Sequence, residues 1–450
     1  MSTLVSRNTQ DWHNWAGDQR CTPERINRPS TVQEIVTLIG QAAERGGRIK
    51  AVGAGHSFTD IALTDGYLLE LGNLSGLHSV DRVTGRATFA AGTRLHRIPA
   101  LLAPYDLALT NMGDIDRQSI AGAISTGTHG TGLNFGGIAT QVVGLTLVTG
   151  SGEILECSAT RNPELFSAAR VGLGALGIIV QVTLQCVPGF KLHAQERAEP
   201  LEQVLETLPK RMAEADHFEF YWFPHTEVAL TKSNTRTALG QRTGPSRGAR
   251  PLSRSQHLLD DVLVSNKLFA AICRGTNVFP GSIPTVNRMA SKLTGNREYT
   301  DRSYKVFATE RSVRFREMEF AVPFSELDTV LRELKAMIAR RRFNVSFPIE
   351  VRCAAADDIP LSTASGRQTG YIAVHQYWRT DPFEFFKAAQ EIFVAHQGRP
   401  HWGKWHFLQS TELAELYPAM EKFCRLRNSV DPGGVFTNDY LDRVLLSRSA

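Results

Sequence analysis

The stretch Val52-Gly53-Ala54-Gly55-His56-Ser57-Phe58-Thr59-Asp60 directly follows the short apolar segment 49–52. We expect that segment to be a strand and the stretch after it to be a tight loop with His56 at its tip. Glycine at positions 53 and 55 permits positive φ and a close approach of backbone N–H groups to an anion. A single Gly-x-Gly is also typical of an ordinary strand–loop connection, so the surrounding chain must decide whether a nucleotide binds here.

The length and composition indicate a soluble protein with two domains. A chain of 450 residues exceeds one compact core. Its content of 42% hydrophobic and 21% charged residues is ordinary for a globular protein. The net charge of +5 is mildly basic, but no basic stripe is interleaved with aromatic residues, so we exclude nucleic acid as a partner. No uninterrupted apolar run reaches the roughly 18 residues of a membrane span, and we expect no transmembrane segment.

The N-terminus and the cysteines predict a cytoplasmic location. The first residues, Met1 to Arg7, are too polar for a signal peptide. The cysteines form no Cys-x-x-Cys pair and mostly lie in apolar runs, at positions 21, 157, 186, 273, 353 and 424. Reduced, buried thiols are therefore expected, without a zinc site or a disulfide framework.

Up to about residue 190 the pattern predicts short strands and helices joined by glycine-rich turns. A helix is expected after Ser30 or Thr31, because an apolar face recurs at helical spacing at positions 32, 35, 36, 39 and 43. Strands are expected at 48–52, 68–71 and 87–91. A hairpin is expected to join 141–148 to 154–157 around Gly150-Ser151-Gly152.

Residues 111–132 form a second run of small side chains, with glycine, alanine or serine at 113, 119, 122, 123, 125, 127, 130 and 132. Such a run cannot build its own core, but it suits backbone wrapped around a ligand, with Ser119, Ser125 and Thr128 as hydroxyl donors to phosphates. A flexible loop is the alternative, against which isoleucines at 115, 120 and 124 anchor the run. The segment 172–180 indicates another close approach to the ligand.

The second half of the chain predicts an α+β unit with an antiparallel sheet. Helices are expected at 201–215 and 324–340, and strands at 217–223 and 313–321. Residues 228–259 contain no acidic residue and hold six cations, at 232, 236, 242, 247, 250 and 254. We interpret this segment as a mobile surface loop, with an anion-binding arm as the alternative.

A strand at 348–352 places Glu350 and Arg352 on one face, since side chains alternate along a strand. The residues alone favour a structural ion pair, with a role in a site as the alternative. His375 lies in a second strand, 371–378, where a hydrogen-bonded sheet histidine is the simplest interpretation. His401 and His406 lack the spacing of a helical zinc pair, and we exclude a metal.

These segments together resemble a known family. The matching motifs, in order, are 53–57, 65–66, 119–132, 139–143, 152–157, 166–170 and 183–188. They are similar to the aldonolactone oxidoreductases, within the vanillyl-alcohol-oxidase superfamily of FAD enzymes. The resemblance covers nearly the whole chain. It implies a PCMH-type FAD-binding domain of two subdomains at 1–190 and an α+β cap domain at 191–400. A C-terminal segment, 401–450, would return to the FAD-binding domain.

The resemblance also implies roles for individual residues. His56 matches the histidine that is bonded to the 8α carbon of the flavin. The implied catalytic residues are Glu350, Arg352, Lys404, His375 and Ser119, of which Arg352 and Lys404 stabilise negative charge and Glu350 orients the substrate hydroxyl. The implied cofactor-binding residues, besides His56 and Lys404, are Val52, Gly53, Ala54, Gly55, Ser57, Gly113, Asp114, Ser119, Gly122, Ala123, Ser125, Thr128, Gly130, Gly177 and Ile179.

The implied activity is oxidation of the C2 hydroxyl of an aldono-1,4-lactone, such as L-gulono-1,4-lactone, to a 2-keto lactone that tautomerises to ascorbate or an analogue. The cofactor carries the redox chemistry. Gly113 favours oxygen as the electron acceptor, because a plant dehydrogenase relative has alanine there. The alternatives are that Gly113 is a simple turn residue and that the flavin passes its electrons to another acceptor, as in dehydrogenase relatives. The alternatives are an alditol oxidase, a D-arabinono-1,4-lactone oxidase and, in a different class, a non-catalytic nucleotide-binding protein.

Overall fold

The computed structural model describes residues 11–240, 250–252, 268–293, 295–309 and 313–446. They form an α+β fold, which confirms the predicted class. The α-helices are α1 Val32–Glu44, α2 Ile98–Leu102, α3 Ile120–Ser125, α4 Pro163–Ala169, α5 Leu201–Glu206, α6 Leu208–Glu214, α7 Phe269–Val278, α8 Ile283–Leu293, α9 Ser303–Phe307, α10 Leu327–Arg341, α11 Phe383–Ala395, α12 Ser410–Leu416, α13 Met420–Val430 and α14 Asp439–Val444.

The strands follow the same chain order. They are β1 Trp12–His13, β2 Arg20–Cys21, β3 Arg25–Asn27, β4 Ile49–Val52, β5 Tyr67–Glu70, β6 Leu77–Asp81, β7 Arg86–Ala90, β8 Leu107–Ala108, β9 Val142–Val148, β10 Ile154–Ser158, β11 Ile178–Gln185, β12 Val187–Pro188, β13 Phe190–Pro200, β14 His217–Trp222, β15 Val228–Ala238, β16 Arg297–Arg302, β17 Phe315–Pro323, β18 Ile349–Ala354, β19 Thr369–Tyr377 and β20 Arg399–Pro400.

The first half of the chain forms two main sheets. The smaller is parallel, in the order β3-β5-β4, and the larger is antiparallel, in the order β10-β9-β11-β7-β6. The predicted helix before them is confirmed as α1, whose first turn is capped by Thr31 Oγ1 accepting from Glu34 N at 3.2 Å. Its buried face consists of Ile35, Ile39 and Ala42. The predicted hairpin is confirmed as β9 and β10.

The second half forms an eight-stranded antiparallel sheet in the order β16-β13-β15-β14-β18-β19-β17-β20. Helices α10 and α11 pack together, and Val330, Leu334 and Phe386 are fully buried in the core. The helix expected at 201–215 is two helices, α5 and α6. Pro209 explains the break at Thr207, because proline has no N–H to continue a helical ladder.

The interpretation of 228–259 as a mobile loop is wrong for its first part, because residues 228–238 are strand β15 between β13 and β14. Lys232 lies buried in that strand, with Nζ 3.5 Å from Glu219 Oε1 and donating to the carbonyl of Val306 at 2.8 Å. A lysine is tolerated in the interior when a carboxylate on a neighbouring strand compensates its charge. In the sequence alone that partner is not visible, and the lysine is then typical of a surface loop. Residues 241–249 and 253–259 lie outside the described residues.

The C-terminal segment packs against the parallel sheet. Asn438 Nδ2 donates to the carbonyls of Asp60, Ile61 and Leu63 at 3.2, 3.1 and 2.9 Å. The buried ammonium of Lys50 donates to the carbonyl of Phe436 at 3.1 Å. Within the described ranges, no helix is both long and apolar enough to cross a membrane. All six cysteines have free thiols, and all except Cys21 are buried.

Candidate active site

A groove of about 1000 Å³, its open mouth included, runs between the end of β4, the start of α3 and the turn that precedes β11. Backbone and small side chains form most of its wall. Of the residues that the sequence predicts to bind a cofactor, those lining the groove are Val52, Gly53, Ala54, Gly55, His56, Ser57, Ser119, Gly122, Ser125, Gly177 and Ile179. The two glycine-rich runs and the segment before β11 therefore meet at one site.

The glycines of this groove are required by close approach. A Cβ atom at Gly53 would lie 2.1 Å from Ser119 Oγ, and Gly55 has φ of +66°. Ser119 caps the N-terminus of α3, with its Oγ accepting from Gly122 N at 3.3 Å. The wall thus combines backbone N–H groups with the hydroxyls of Ser57, Ser119 and Ser125, which is a donor set that suits phosphate. These residues fit the dinucleotide that the sequence predicts.

His56 lines the groove, and its ring is stacked on Trp15 at 5.6 Å between centroids and 25° between planes. Burial lowers the pKa of His56 to about 4, and the positive charges of Arg94, Lys404 and Arg117 lower it further in the same direction. The imidazole is therefore neutral at pH 7. A neutral ring keeps a nitrogen lone pair, which a covalent bond to a cofactor requires.

A second cavity, of about 460 Å³ with its open mouth included, adjoins the groove, since Gln118 lines both. Its walls hold the predicted residues Gly113, Asp114, Thr128, Glu350, Arg352 and Lys404. Four of these, Gly113, Asp114, Thr128 and Lys404, were predicted to bind the cofactor, and the structure places them here and not in the groove proper. The Thr128 hydroxyl accepts from Gln118 Nε2 at 3.2 Å.

The register of the large sheet explains why polar side chains converge on this cavity. Side chains that face each other across neighbouring strands share one face of a sheet. Tyr221 on β14 faces Glu350 on β18, and Glu350 faces Ala373 on β19. Ala373 in turn faces Glu319 on β17. The same alignment places Arg352 opposite Tyr371, and His375 opposite Glu317, on that face.

Arg352 is held by carboxylates on three sides. Its Nε donates to Glu219 Oε2 at 2.9 Å, its guanidinium pairs with Glu350, and it approaches Asp114 Oδ1 at 3.4 Å. Burial alone lowers the pKa of Arg352, but the charges of Glu350, Asp114 and Glu219 outweigh it and hold that pKa well above the usual value. Tyr221 OH donates to Glu350 Oε1 at 2.9 Å. The guanidinium is thus permanently charged and fixed in orientation.

Lys404 is the second fixed cation of the cavity. Its ammonium pairs with Glu317 and lies 3.9 Å from Glu319 Oε2. Burial opposes charge on Lys404, but these two carboxylates outweigh it and raise its pKa. Glu319 also pairs with His129 Nε2, and the His129 ring stacks on Tyr371 at 3.5 Å. Both cations of the cavity therefore have their charge compensated by named carboxylates before any ligand binds.

Glu317, Glu319 and His129 are cavity residues that the sequence reasoning missed. A signal was present for two of them, because a Glu-x-Glu pair lies within the largely apolar strand β17. A buried carboxylate requires a partner, so such a pair indicates a cation or a site nearby. His129 lies in the small-residue run between Thr128 and Gly130, and no local pattern distinguishes it there as a cavity residue.

Three predicted residues line neither cavity. His375 is buried behind Glu317, with its Nδ1 3.0 Å from the carbonyl of Pro348 and its ring 5.2 Å from that of Phe315. Glu317 therefore faces the cavity where His375 was predicted to contact substrate. Ala123 is fully buried in the core. A Cβ at Gly130 would lie 2.2 Å from the carbonyl O of Met112, so this glycine permits backbone packing.

His401 and His406, the two histidines considered as metal ligands, have different hydrogen-bond partners. His401 Nδ1 accepts from Gly403 N at 3.1 Å, and His406 Nε2 lies 3.2 Å from Tyr440 OH. Burial is the main cause that lowers the pKa of His401 to about 4 and that of His406 to about 3. In the part of the chain that the structure describes, no group of three or more His, Cys, Asp or Glu side chains is arranged to hold a metal ion.

Two family models match this chain and define the class of protein to which it belongs. Residues 23–158 match the family model described as FAD binding domain, and residues 182–444 match that described as D-arabinono-1,4-lactone oxidase. The chain belongs to this family of aldonolactone oxidoreductases, which confirms the resemblance of its motifs. The match to the FAD binding domain agrees with the donor set of the groove and supports FAD as the cofactor.

Individual relatives extend over nearly the whole chain. L-gulono-1,4-lactone dehydrogenase of Mycobacterium tuberculosis (strain ATCC 25618 / H37Rv) is 43% identical over 434 residues, which are 96% of this chain and 99% of that protein. L-gulonolactone oxidase of Bos taurus is 35% identical over 440 residues, covering 96% and 98%. Cholesterol oxidase from Brevibacterium sterolicum shares the fold, with a TM-score of 0.81, 20% identity and 97% of each chain covered.

Proposed function

We propose that this protein is an FAD-linked oxidoreductase that oxidises the C2 hydroxyl of an aldono-1,4-lactone, L-gulono-1,4-lactone or a homologue, towards ascorbate or its analogue. The observation that carries the proposal is the Glu350–Arg352 pair, which lines a polar cavity directly beside a groove suited to a dinucleotide. The names of the relatives, which include gulonolactone and arabinonolactone enzymes, support the same substrate class.

The groove would hold FAD through the hydroxyls of Ser57, Ser119 and Ser125 and the backbone at Gly53 and Gly55. The neutral His56 would hold it covalently. When bound, FAD supplies the hydride acceptor for oxidation of an alcohol. The remaining chemistry is positioning and charge stabilisation, and it belongs to the chain.

In the second cavity Glu350 orients the substrate hydroxyl and Arg352 stabilises the negative charge that develops on its oxygen. Arg352 does this with a guanidinium whose direction is fixed by Glu219 and Asp114. Fixed donors in a site that excludes water need no reorganisation as charge develops. Lys404 supplies a second fixed cation in the same cavity, 5.2 Å from the centre of the Phe58 ring.

A substrate panel tests the proposal. Purified protein is assayed with an artificial electron acceptor on L-gulono-1,4-lactone, D-arabinono-1,4-lactone, and the polyols xylitol and sorbitol. We expect turnover of the lactones and little or none of the polyols, because His375, which was predicted to contact substrate, lies behind Glu317 and does not line the cavity. Turnover confined to the polyols would replace the lactone assignment with that of an alditol oxidase.

Gly113 supports oxygen as the electron acceptor, although the relatives carry both oxidase and dehydrogenase names. A methyl group at this position would lie 3.0 Å from the His129 carbonyl O and 3.5 Å from Thr128 Cγ2, on the cavity wall. We expect Gly113→Ala to slow flavin reoxidation by oxygen severalfold while substrate still reduces the flavin at its usual rate. Stopped-flow mixing of reduced protein with oxygenated buffer measures this.

The matched control for that prediction is Gly72→Ala, since a Cβ at Gly72 meets no atom within 4 Å. The control should leave both half-reactions unchanged. If Gly113→Ala reoxidises as fast as the unaltered protein, Gly113 is a turn residue and not a gate for oxygen.

A further inference from the structure

A row of alternating charges crosses the large sheet towards the polar cavity. Its members face one another on consecutive strands: Arg297 on β16, Glu196 on β13, Lys232 on β15 and Glu219 on β14. Glu219 in turn accepts from Arg352 Nε, on β18, at 2.9 Å. We call these five residues the charge row. It ends at the guanidinium of the cavity, although neither Lys232 nor Glu219 lines that cavity.

The two central charges of the row lie inside the protein. The side chain of Lys232 is 8% exposed and that of Glu219 is 7% exposed. Burial lowers the pKa of Lys232, but the charge of Glu219 and weaker contributions outweigh it and raise that pKa. Burial raises the pKa of Glu219, but the charges of Arg352 and Lys232 outweigh it and lower that pKa. Both groups are therefore ionised at pH 7.

The surroundings of Arg352 show why a second cation beside Glu219 matters. Three carboxyl groups contact the guanidinium, those of Glu350, Glu219 and Asp114. Carboxylates at this distance cancel much of the attraction that a cation exerts on a developing oxyanion. Lys232 Nζ lies 3.5 Å from Glu219 Oε1 and compensates part of that negative charge. The potential at the cavity is therefore more positive than Glu219 without Lys232 would leave it.

The outer end of the row compensates its own charges. Arg297 donates to both carboxylate oxygens of Glu196, at 2.7 and 3.0 Å. The side chain of Arg297 is 25% exposed, and solvent ions screen charges that they reach. The part of the row that acts on the cavity is thus the inner one, from Lys232 through Glu219 to Arg352.

We propose that Lys232 is a positioning residue of the active site, which sets the charge available at Arg352 by acting through Glu219. Lys232 lines neither the groove nor the polar cavity. Its ammonium donates to the carbonyl of Val306 at 2.8 Å, which holds it beside Glu219. The inference rests on the proposed function, because that function assigns to Arg352 the stabilisation of negative charge on the substrate oxygen.

Neutralising Lys232 tests this role in the flavin-loaded protein. Lys232→Met is expected to slow anaerobic reduction of the flavin by L-gulono-1,4-lactone on the order of tenfold, because Glu219 then acts on Arg352 alone. The lactone concentration that gives the half-maximal rate should change less than about twofold, because Lys232 contacts no substrate. Lys232→Gln, which keeps an N–H donor for the Val306 carbonyl, is the second variant if Lys232→Met does not fold.

The double variant Glu219→Gln/Lys232→Met separates an electrostatic role from a structural one. It removes both charges together, and the amide oxygen at position 219 still accepts from Arg352 Nε. We expect flavin reduction to return to within about threefold of the rate of the unaltered protein. If Lys232 were only a structural residue, the double variant would be at least as slow as Lys232→Met, since it loses more of the native contacts.

The midpoint potential of the bound flavin is a second readout, and it needs no substrate. Removal of a cation near the site disfavours the addition of negative charge, so Lys232→Met should shift the potential to a more negative value. The double variant should restore it. Lys335→Met is the matched control, because Lys335 on α10 pairs with Glu227 and lines neither cavity. It should change neither the rate nor the potential, and thermal unfolding checks that each variant folds.

Two results would overturn the role of Lys232. One is a Lys232→Met protein with the reduction rate and potential of the unaltered protein. The other is a double variant that is no faster than Lys232→Met and has the same potential. An unaltered protein whose flavin the lactone does not reduce contradicts the proposed function instead, and the potentials of the variants then decide the role of Lys232 by themselves.

Discussion

Arg352→Ala is expected to slow reduction of the bound flavin by L-gulono-1,4-lactone by a factor on the order of 1000, the effect of removing a fixed donor to a developing oxyanion. In the proposed reaction the substrate oxygen loses its proton next to this guanidinium, which Glu350, Glu219 and Asp114 hold in place. Anaerobic stopped-flow absorbance measures the rate. Arg352→Lys should recover only part of it, because an ammonium keeps the charge but loses the planar fork.

The same substitution has a structural cost that must be measured separately. It leaves buried carboxylates without their cation, which destabilises a protein by about 3–5 kcal/mol. Arg297→Ala is the matched control, since Arg297 Nε pairs with Glu196 at 2.7 Å on the same large sheet and lines neither cavity. It should lower the unfolding temperature and leave flavin reduction unchanged. If Arg352→Ala reduces flavin as fast as Arg297→Ala, Arg352 has no role in the reaction.

His56→Ala is expected to abolish covalent attachment of the flavin completely. After precipitation in acid, the unaltered protein should retain yellow colour in the pellet, and the variant should release all its flavin to the supernatant. The groove residues other than His56 remain, so the variant should still bind free FAD reversibly, as flavin fluorescence quenching would show. The exposed His78 is the matched control, and His78→Ala should retain its flavin. Flavin in the acid pellet of His56→Ala would contradict the assignment.

The lowered pKa of His56 adds a pH dependence to this prediction. With a pKa of about 4 in place of 6.5, the ring is neutral throughout the range from pH 8 down to about pH 5. Apoprotein from riboflavin-limited cells should therefore attach added FAD at one rate across that range, and more slowly as the pH falls towards 4. A rate that falls already between pH 7 and 6 would mean that the ring titrates normally and that burial does not hold it neutral.

The parts of the site that the sequence predicted are those whose requirements are local. Gly55 is required by its own backbone, which has a φ of +66°. The spacing of Glu350 and Arg352 sets their common face, because side chains alternate along any strand. Such features leave a direct record in the sequence, and the family resemblance only adds roles to them.

The parts that the sequence did not reveal depend on partners distant in the chain. Glu319 is stable in the interior because His129 and Lys404 arrive from positions 190 residues before and 85 after it. The sequence around Lys232 is typical of a surface loop, and only the fold shows that Lys232 pairs with Glu219 on the next strand. Burial of a charge is a property of the pair. A sequence pattern shows only one residue of such an ion pair at a time. The strand register that brings the two residues together is seen only in the folded structure.

One anaerobic experiment tests the lactone oxidoreductase assignment most directly. The purified protein is mixed with L-gulono-1,4-lactone in the absence of oxygen while the flavin absorbance is followed, and air is then admitted. We predict bleaching of the flavin band, followed by rapid return of the yellow colour. Slow return would contradict only the choice of oxygen as acceptor. A flavin that stays oxidised with this lactone and with D-arabinono-1,4-lactone would contradict the proposed function itself.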